Sequence, residues 1–245
     1  MSSRARAHAL LALAALLTGC MSDASQPPPS DGLRILALGD SYTIGEGVAP
    51  ADRWPEQLAA RLRQPAGDGA AGSELEVAEP QVVAQTGWTV AELAAGIDEV
   101  RPRGPFDLVT LLIGVNDQYR GARAGAYRAE FESMLDRAVA FADGEPGRVV
   151  VVSIPDWGVT PFGAADARGP ARIAGEVDAF NAAAREAAAV RGAAWVDVTG
   201  VSRTQGDRVV ADGLHPDARA YASWTDRIEP AVRAALAHQA RAQRF

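Results

Sequence analysis

Residues 107–117 read Asp-Leu-Val-Thr-Leu-Leu-Ile-Gly-Val-Asn-Asp (DLVTLLIGVND). From Leu108 to Ile113 the run is apolar except for Thr110, and it does not alternate. A strand with one wet face alternates in hydropathy; a parallel strand covered on both faces reads as a continuous apolar run. The run then stops abruptly at Gly114, Asn116 and Asp117. The stretch therefore predicts a buried strand in a parallel sheet, with polar groups delivered where the strand ends.

Four more runs support this reading. Leu33 to Leu38, a segment within Glu74 to Ala84 interrupted by Pro80, Arg148 to Ile154 (RVVVVSI) and Ala194 to Val198 (AWVDV) are the other strand candidates. Helical patterns lie between them. Trp54 to Leu62 carries Leu58 and Leu62 at four-residue spacing. Thr89 to Val100 starts with a Thr89…Glu92 capping-box spacing. Tyr127 to Phe141, Ala171 to Val190 and Pro216 to Ala237 complete the set. Alternating strands and helices predict an α/β fold, with parallel strands, right-handed crossovers and helices on both faces. Open sheets of this kind bind ligands beyond the carboxyl ends of their strands. Those positions read Gly39-Asp40-Ser41, Thr86-Gly87-Trp88, Gly114-Val115-Asn116-Asp117 and Pro155-Asp156-Trp157, with a loop Ala211-Asp212-Gly213-Leu214-His215-Pro216 before the last helix.

The totals narrow the chemistry. The 245 residues suit one well-filled domain. All 24 basic residues are Arg, which removes Lys as nucleophile or Schiff-base former. The formal charge is -7; without residues 1–19, which hold Arg4, Arg6 and no acid, 22 Arg face 31 acids and the charge is -9. An acidic body argues against nucleic acid as a partner. Cys20 is the one cysteine, so no intrachain disulfide forms and zinc sites built on two or four cysteines are excluded. Of His8, His215 and His238, one lies in the leader and one in the tail, leaving His215 as the histidine available for chemistry.

Residues 1–19 have the parts of a secretory signal: Arg4 and Arg6, then an apolar core from Ala9 to Leu17, too short to span a bilayer. Leu17-Thr18-Gly19-Cys20 resembles the bacterial lipobox, in which the cysteine is lipidated and becomes the mature N-terminus. Residues 20–32 then read as a tether with Pro27-Pro28-Pro29 in its middle. The resemblance implies a cell-envelope lipoprotein held to a membrane through Cys20. Asp23 is at the third mature position, which by the related sorting rule points to the outer membrane or cell surface rather than the inner membrane.

The strand-end residues form a chemical set. Acyl transfer needs a nucleophile, a base, a group that orients the base, and donors for the oxyanion. Ser41 opens a helix at a strand end. Asp212 lies three residues before His215 and can reach the imidazole Nδ1, leaving Nε2 for Ser41. Gly87 brings a backbone N–H close, and Asn116 offers a side-chain donor that does not titrate. Four ordered blocks, Gly39-Asp40-Ser41, Gly87, Gly114-Val115-Asn116-Asp117 and Asp212-Gly213-Leu214-His215, resemble the GDSL-type esterases and lipases of the SGNH hydrolase superfamily. Tyr42 stands where that pattern has leucine. The resemblance implies a three-layer α/β/α sandwich, flavodoxin-like, with strand order 2-1-3-4-5 over residues 33–240. It implies Ser41, His215 and Asp212 as catalytic residues, and the N–H groups of Ser41 and Gly87 with the Asn116 side chain as oxyanion donors. Asp40 braces the turn.

Each block also has a plainer reading. Ser41 suits an N-cap, His215 and Asp212 a helix start, and Asn116 and Asp117 a turn; these readings must all hold together to dismiss the site. Asp117, Asp156 and Asp197 are acids near strand ends, but no spacing marks a glycosidase pair. Trp157, Phe162 and Trp195 read more readily as packing than as ligand contacts, with lining of an acyl pocket the second reading of Phe162, while Trp88 is open between packing and the pocket. The expected activity is hydrolysis of carboxylic esters (short-chain acyl esters, lysophospholipids, thioesters or O-acetylated glycans) without metal or other cofactor, by a monomer. The alternative is a non-catalytic envelope lipoprotein that binds ligand through the same fold.

Overall fold

Five strands, β1 (Ile35–Gly39), β2 (Gln81–Ala84), β3 (Leu108–Leu112), β4 (Val149–Val152) and β5 (Ala194–Val196), lie side by side and all parallel, in the order β2-β1-β3-β4-β5. This computed structural model describes residues 32–65 and 75–242. The leader 1–19, Cys20 and the tether as far as residue 31 lie outside the described residues. The stretch 107–117 holds the centre: all five residues of β3 are buried, and Thr110 pairs in register with Ala37 and Val150.

The helices are α1 (Ser41–Ile44), α2 (Trp54–Leu62), α3 (Val90–Val100), α4 (Val115–Tyr119), α5 (Ala124–Phe141), α6 (Pro161–Ala164), α7 (Pro170–Arg191), α8 (Thr199–Ser202) and α9 (Ala218–Ala242). They pack in two groups. α2 lies against α9, and α5 lies against α3 and α7, where Tyr127 stacks on Phe180 at 4.6 Å. Leu58 and Leu62 of α2 are fully buried, as their spacing predicts. Thr89 and Glu92 form the capping box in both directions, with Thr89 N–H donating to Glu92 Oε2 at 2.8 Å and Glu92 N–H to Thr89 Oγ1 at 3.3 Å.

Of the boundaries that differ from the sequence reading, three show their cause. The second strand shrinks to the four residues after Pro80, because proline has no N–H to give a ladder; Val77 makes only an isolated bridge to Leu33. β5 stops at Val196, since Asp197 turns its carboxylate onto the Thr199 N–H and starts α8. The last helix begins at Ala218 rather than Pro216: Pro216 sits in a bridge with Val209, and Asp217 Oδ1 takes the N–H groups of Arg219 and Ala220. The short helices α4, α6 and α8 carry too few residues to show a period.

The topology places a crevice where the chain order reverses, between the ends of β1 and β3. The segments after β1, β2 and β3 therefore open onto one edge.

Candidate active site

β1 leaves the sheet at Gly39. A Cβ there would sit 2.6 Å from the Leu112 carbonyl oxygen and 2.1 Å from Thr43 Oγ1, so a side chain cannot fit at this exit. The next residue, Asp40, caps α1: its Oδ1 accepts the Tyr42 N–H at 3.0 Å. The cap is thus Asp40 and not Ser41, and the serine hydroxyl is left for other use. Ser41 is the first helical residue, where backbone N–H groups have no intrahelical partner. The Asp40 carboxyl is wholly enclosed. Burial pushes its pKa up to about 8, against the Tyr42 N–H bond that lowers it, with the Asp117 charge raising it further. Asp40 is a brace, as the sequence suggests.

Gly87 follows β2 with φ of +87°. A Cβ there would meet nothing closer than Arg120 Nη2 at 3.9 Å. Glycine suits the left-handed backbone here and leaves the cavity side of the peptide open. Arg120 holds the peptide in place: Nη2 donates to the Gly87 carbonyl at 2.7 Å while Nη1 pairs with Glu92 at 3.1 Å. Asn116 follows β3 on the one-turn helix α4. Its Nδ2 donates to the Trp88 carbonyl at 2.9 Å, which leaves the second N–H of the amide free to act. Asp117 has a structural task, accepting the Val90 N–H at 3.2 Å and so tying α4 to the start of α3.

His215 arrives on a loop. Asp212 organises that loop alone: Oδ1 accepts the N–H groups of Leu214 (2.8 Å) and His215 (3.0 Å), and Oδ2 accepts the His215 Nδ1–H at 2.6 Å. A carboxylate only accepts, so the proton sits on Nδ1 and Nε2 keeps its lone pair. Partial burial would raise the Asp212 carboxyl, but the hydrogen bonds from the His215 ring and the two backbone N–H groups outweigh it and hold the group below the usual carboxylate range. The loop is fastened by Val210 N–H to the His215 carbonyl at 2.8 Å and by Phe162 N–H to the Gly213 carbonyl at 3.0 Å.

These parts meet. Ser41, Gly87, Asn116 and His215 line one cavity of about 200 Å³, and Asp212 stands behind the imidazole. Ser41 and His215 make no direct hydrogen bond here, a contact that commonly tightens only when substrate binds. Apart from Thr86, the remaining wall is apolar and aromatic: Tyr42, Val115, Tyr119, Trp157, Phe162 and Leu214. Tyr119, Trp157 and Phe162 contact one another with ring centroids 5.5–6.3 Å apart. Arg168 lies 5.0 Å from the Tyr119 ring and 4.9 Å from the Trp157 ring, itself held by both oxygens of Asp166. Phe162 and Trp157 thus line the cavity, where the sequence favours packing for both. Trp88 does not, since its indole lies over Gly96 of α3. Tyr119 went unrecognised; it lies three residues after Asn116, one helical turn on, and that spacing is the signal that identifies it.

The competing acids are occupied elsewhere. Asp156 accepts from Gly158 N–H and pairs with Arg203 at 2.8 Å, and Asp197 caps α8. Among the described residues no group of three or more His, Cys, Asp or Glu is placed to hold a metal ion.

Solved structures share this fold. TesA matches with a TM-score of 0.61 at 21% identity, covering 82% of this chain and 99% of its own. The lipase/acylhydrolase from Enterococcus faecalis matches at 0.58 and 20%, covering 84% and 96%. A carbohydrate acetylesterase family member from Sinorhizobium meliloti matches at 0.57 and 22%, covering 84% and 99%. No curated protein sequence matches significantly. The profile of the GDSL-like Lipase/Acylhydrolase family matches residues 37–223, a span that contains every polar residue of the cavity and Asp212 behind it. The chain belongs to the GDSL-like lipase/acylhydrolase family and is an ester-hydrolysing enzyme.

Proposed function

We propose that the chain is a serine esterase that cleaves short acyl esters through an acyl-enzyme, with Ser41 as nucleophile, His215 as base and Asp212 as the group that orients it. The observation that carries this reading is the convergence of Ser41, Gly87, Asn116 and His215 on one cavity, with Asp212 2.6 Å from the far nitrogen of the imidazole.

The steps follow from the geometry. Ser41 Oγ attacks the ester carbonyl as His215 Nε2 takes its proton. The carbonyl oxygen becomes an oxyanion, received by the N–H groups of Ser41 and Gly87 and the free N–H of Asn116. The imidazolium gives its proton to the leaving alcohol, and the C–O bond breaks to leave acyl-Ser41. Water then enters, loses a proton to His215, and releases the acid and Ser41.

The acyl group lies against Tyr119, Trp157 and Phe162. A cavity of about 200 Å³ supports a short acyl group over a full lipid chain. The aromatic lining supports an apolar acyl group. The leader and Cys20 support a lipid-anchored enzyme of the cell envelope, joined to its anchor by residues 20–32.

The test is hydrolysis of p-nitrophenyl esters from C2 to C16 by the purified protein and by Ser41→Ala. Turnover that peaks at short chains and vanishes with Ser41 supports the proposal. Turnover that survives in Ser41→Ala overturns the mechanism, and a peak at C12 or longer overturns the acyl assignment. A fluorophosphonate that labels wild type but not Ser41→Ala separates an enzyme with a narrow alcohol preference from a binding module.

A further inference from the structure

Position 42 is where this chain departs from the Gly-Asp-Ser-Leu pattern it otherwise follows. Tyr42 is the second residue of α1, is 3% exposed, and has its N–H held by Asp40. Its ring meets two others. On one side is His215, with centroids 5.6 Å apart and planes at 56°. On the other is Trp224 of α9, at 6.0 Å and 54°. Trp224 is in turn met edge-on by Tyr221 at 5.2 Å and 84°, and both are buried. The last helix thus presses an aromatic pair against Tyr42, and Tyr42 against the imidazole.

Asp212 restrains the His215 ring through one atom, Nδ1. A ring held at a single atom can still swing about that bond, and a swing moves Nε2 most. A second contact on the ring removes this freedom. The phenol stays neutral throughout: burial, then the nearby charges of Asp40, Asp212 and Asp156, push its ionisation far above the ordinary range.

We propose that Tyr42 is a positioning residue for His215, its ring braced by Trp224 so that the imidazole keeps Nε2 toward Ser41. This rests on the catalytic reading of Ser41 and His215 above. The ring is what acts, because the hydroxyl makes no hydrogen bond to another described residue. Leucine serves elsewhere in the pattern; here the surroundings are built around a ring, and leucine leaves a gap beside the histidine.

The experiment uses the full chain and its Tyr42→Leu, Tyr42→Met and Tyr42→Phe variants, with Ser41→Ala and His215→Ala as controls. It reads kcat and KM on p-nitrophenyl acetate, the rate of fluorophosphonate labelling, and Tm. Tyr42→Leu is expected to lower kcat and labelling together by about 10-fold, equivalent to ~1.4 kcal/mol, with KM changed less than about 2-fold. Tyr42→Phe restores both. Tyr42→Met, closer in volume and without a ring, gives the same loss and stands in if the leucine variant does not fold. Wild-type kcat and labelling in folded Tyr42→Leu or Tyr42→Met overturn the proposal, as does a change confined to KM, which marks a pocket wall and nothing more. Turnover surviving in Ser41→Ala and His215→Ala overturns the catalytic reading and this inference with it.

Discussion

The two walls of the cavity are built in different ways. The polar wall comes from the ends of β1, β2 and β3, where Ser41, Gly87 and Asn116 are each held by backbone geometry or by one short hydrogen bond. The other wall comes mainly from later connections: Trp157 and Phe162 from the segment after β4 and His215 from the loop before α9, joined by Tyr119 from the far end of α4, one turn after Asn116. There the side chains hold one another through ring contacts, the Arg168 cation and the Phe162–Gly213 backbone bond. A strand end allows little error, because the sheet ladder sets it. A packed aromatic wall can repack at modest cost. The polar wall should therefore govern kcat and the aromatic wall substrate choice, with His215 as the one polar group that the looser side must deliver.

The sharpest test removes the chemistry from either wall. Ser41→Ala and His215→Ala should each lower kcat about 10⁴-fold or more on any ester, with folding intact by circular dichroism. Unequal losses would show that the loop-borne base matters less than the strand-borne nucleophile. Next is the oxyanion donor: Asn116→Ala should lower kcat by about 10²–10³-fold, roughly 3–4 kcal/mol, with little change in KM. A loss confined to KM would break the division between the walls. On the aromatic side, Phe162→Ala should raise KM for butyrate and hexanoate esters about 10-fold, leaving acetate nearly unchanged, since 1–2 kcal/mol of apolar contact is lost only by a chain long enough to reach it. An equal effect on all chain lengths would place Phe162 outside the acyl site.

The smallest effect is on stability and tests the brace beneath Ser41. The Asp40 pKa is raised to about 8 by burial, so between pH 4 and pH 8 the folded state binds a proton that the unfolded state has lost. Stability then falls as pH rises through this window, by up to ~1.4 kcal/mol per pH unit from this group. Asp117, raised to about 6 by burial, acts with the same sign. Asp212, lowered, acts with the opposite sign and loses its contribution as pH falls into the acid range. Asp40→Asn keeps the acceptor for the Tyr42 N–H and removes the proton. Its Tm should decline less than that of wild type between pH 5 and pH 8, read by thermal melts at each pH; parallel curves would sink the assignment.

Some features follow from the chain itself. The unalternating run at 108–113 dictates a strand buried on both faces, and hence helices on both faces. Gly39-Asp40-Ser41 and Asp212-Gly213-Leu214-His215 are legible because their aspartates act locally, Asp40 on the Tyr42 N–H and Asp212 on the N–H groups of Leu214 and His215, whereas Gly114-Val115-Asn116-Asp117 is legible as polar residues at a strand end, its Asn116 and Asp117 bonding the distant Trp88 and Val90. Local hydrogen bonds leave a local spacing, and spacing can be read. The aromatic wall leaves little: Tyr119 keeps a one-turn spacing from Asn116, and Trp157 and Phe162 keep none. Tyr119, Trp157 and Phe162 are separated by up to 43 positions, and their meeting depends on where α4 and α6 dock on the sheet. The part played by Tyr42 is invisible for the same reason: the residue is plain in the sequence, but its neighbours His215 and Trp224 are brought to it only when α9 folds back over the edge of the sheet.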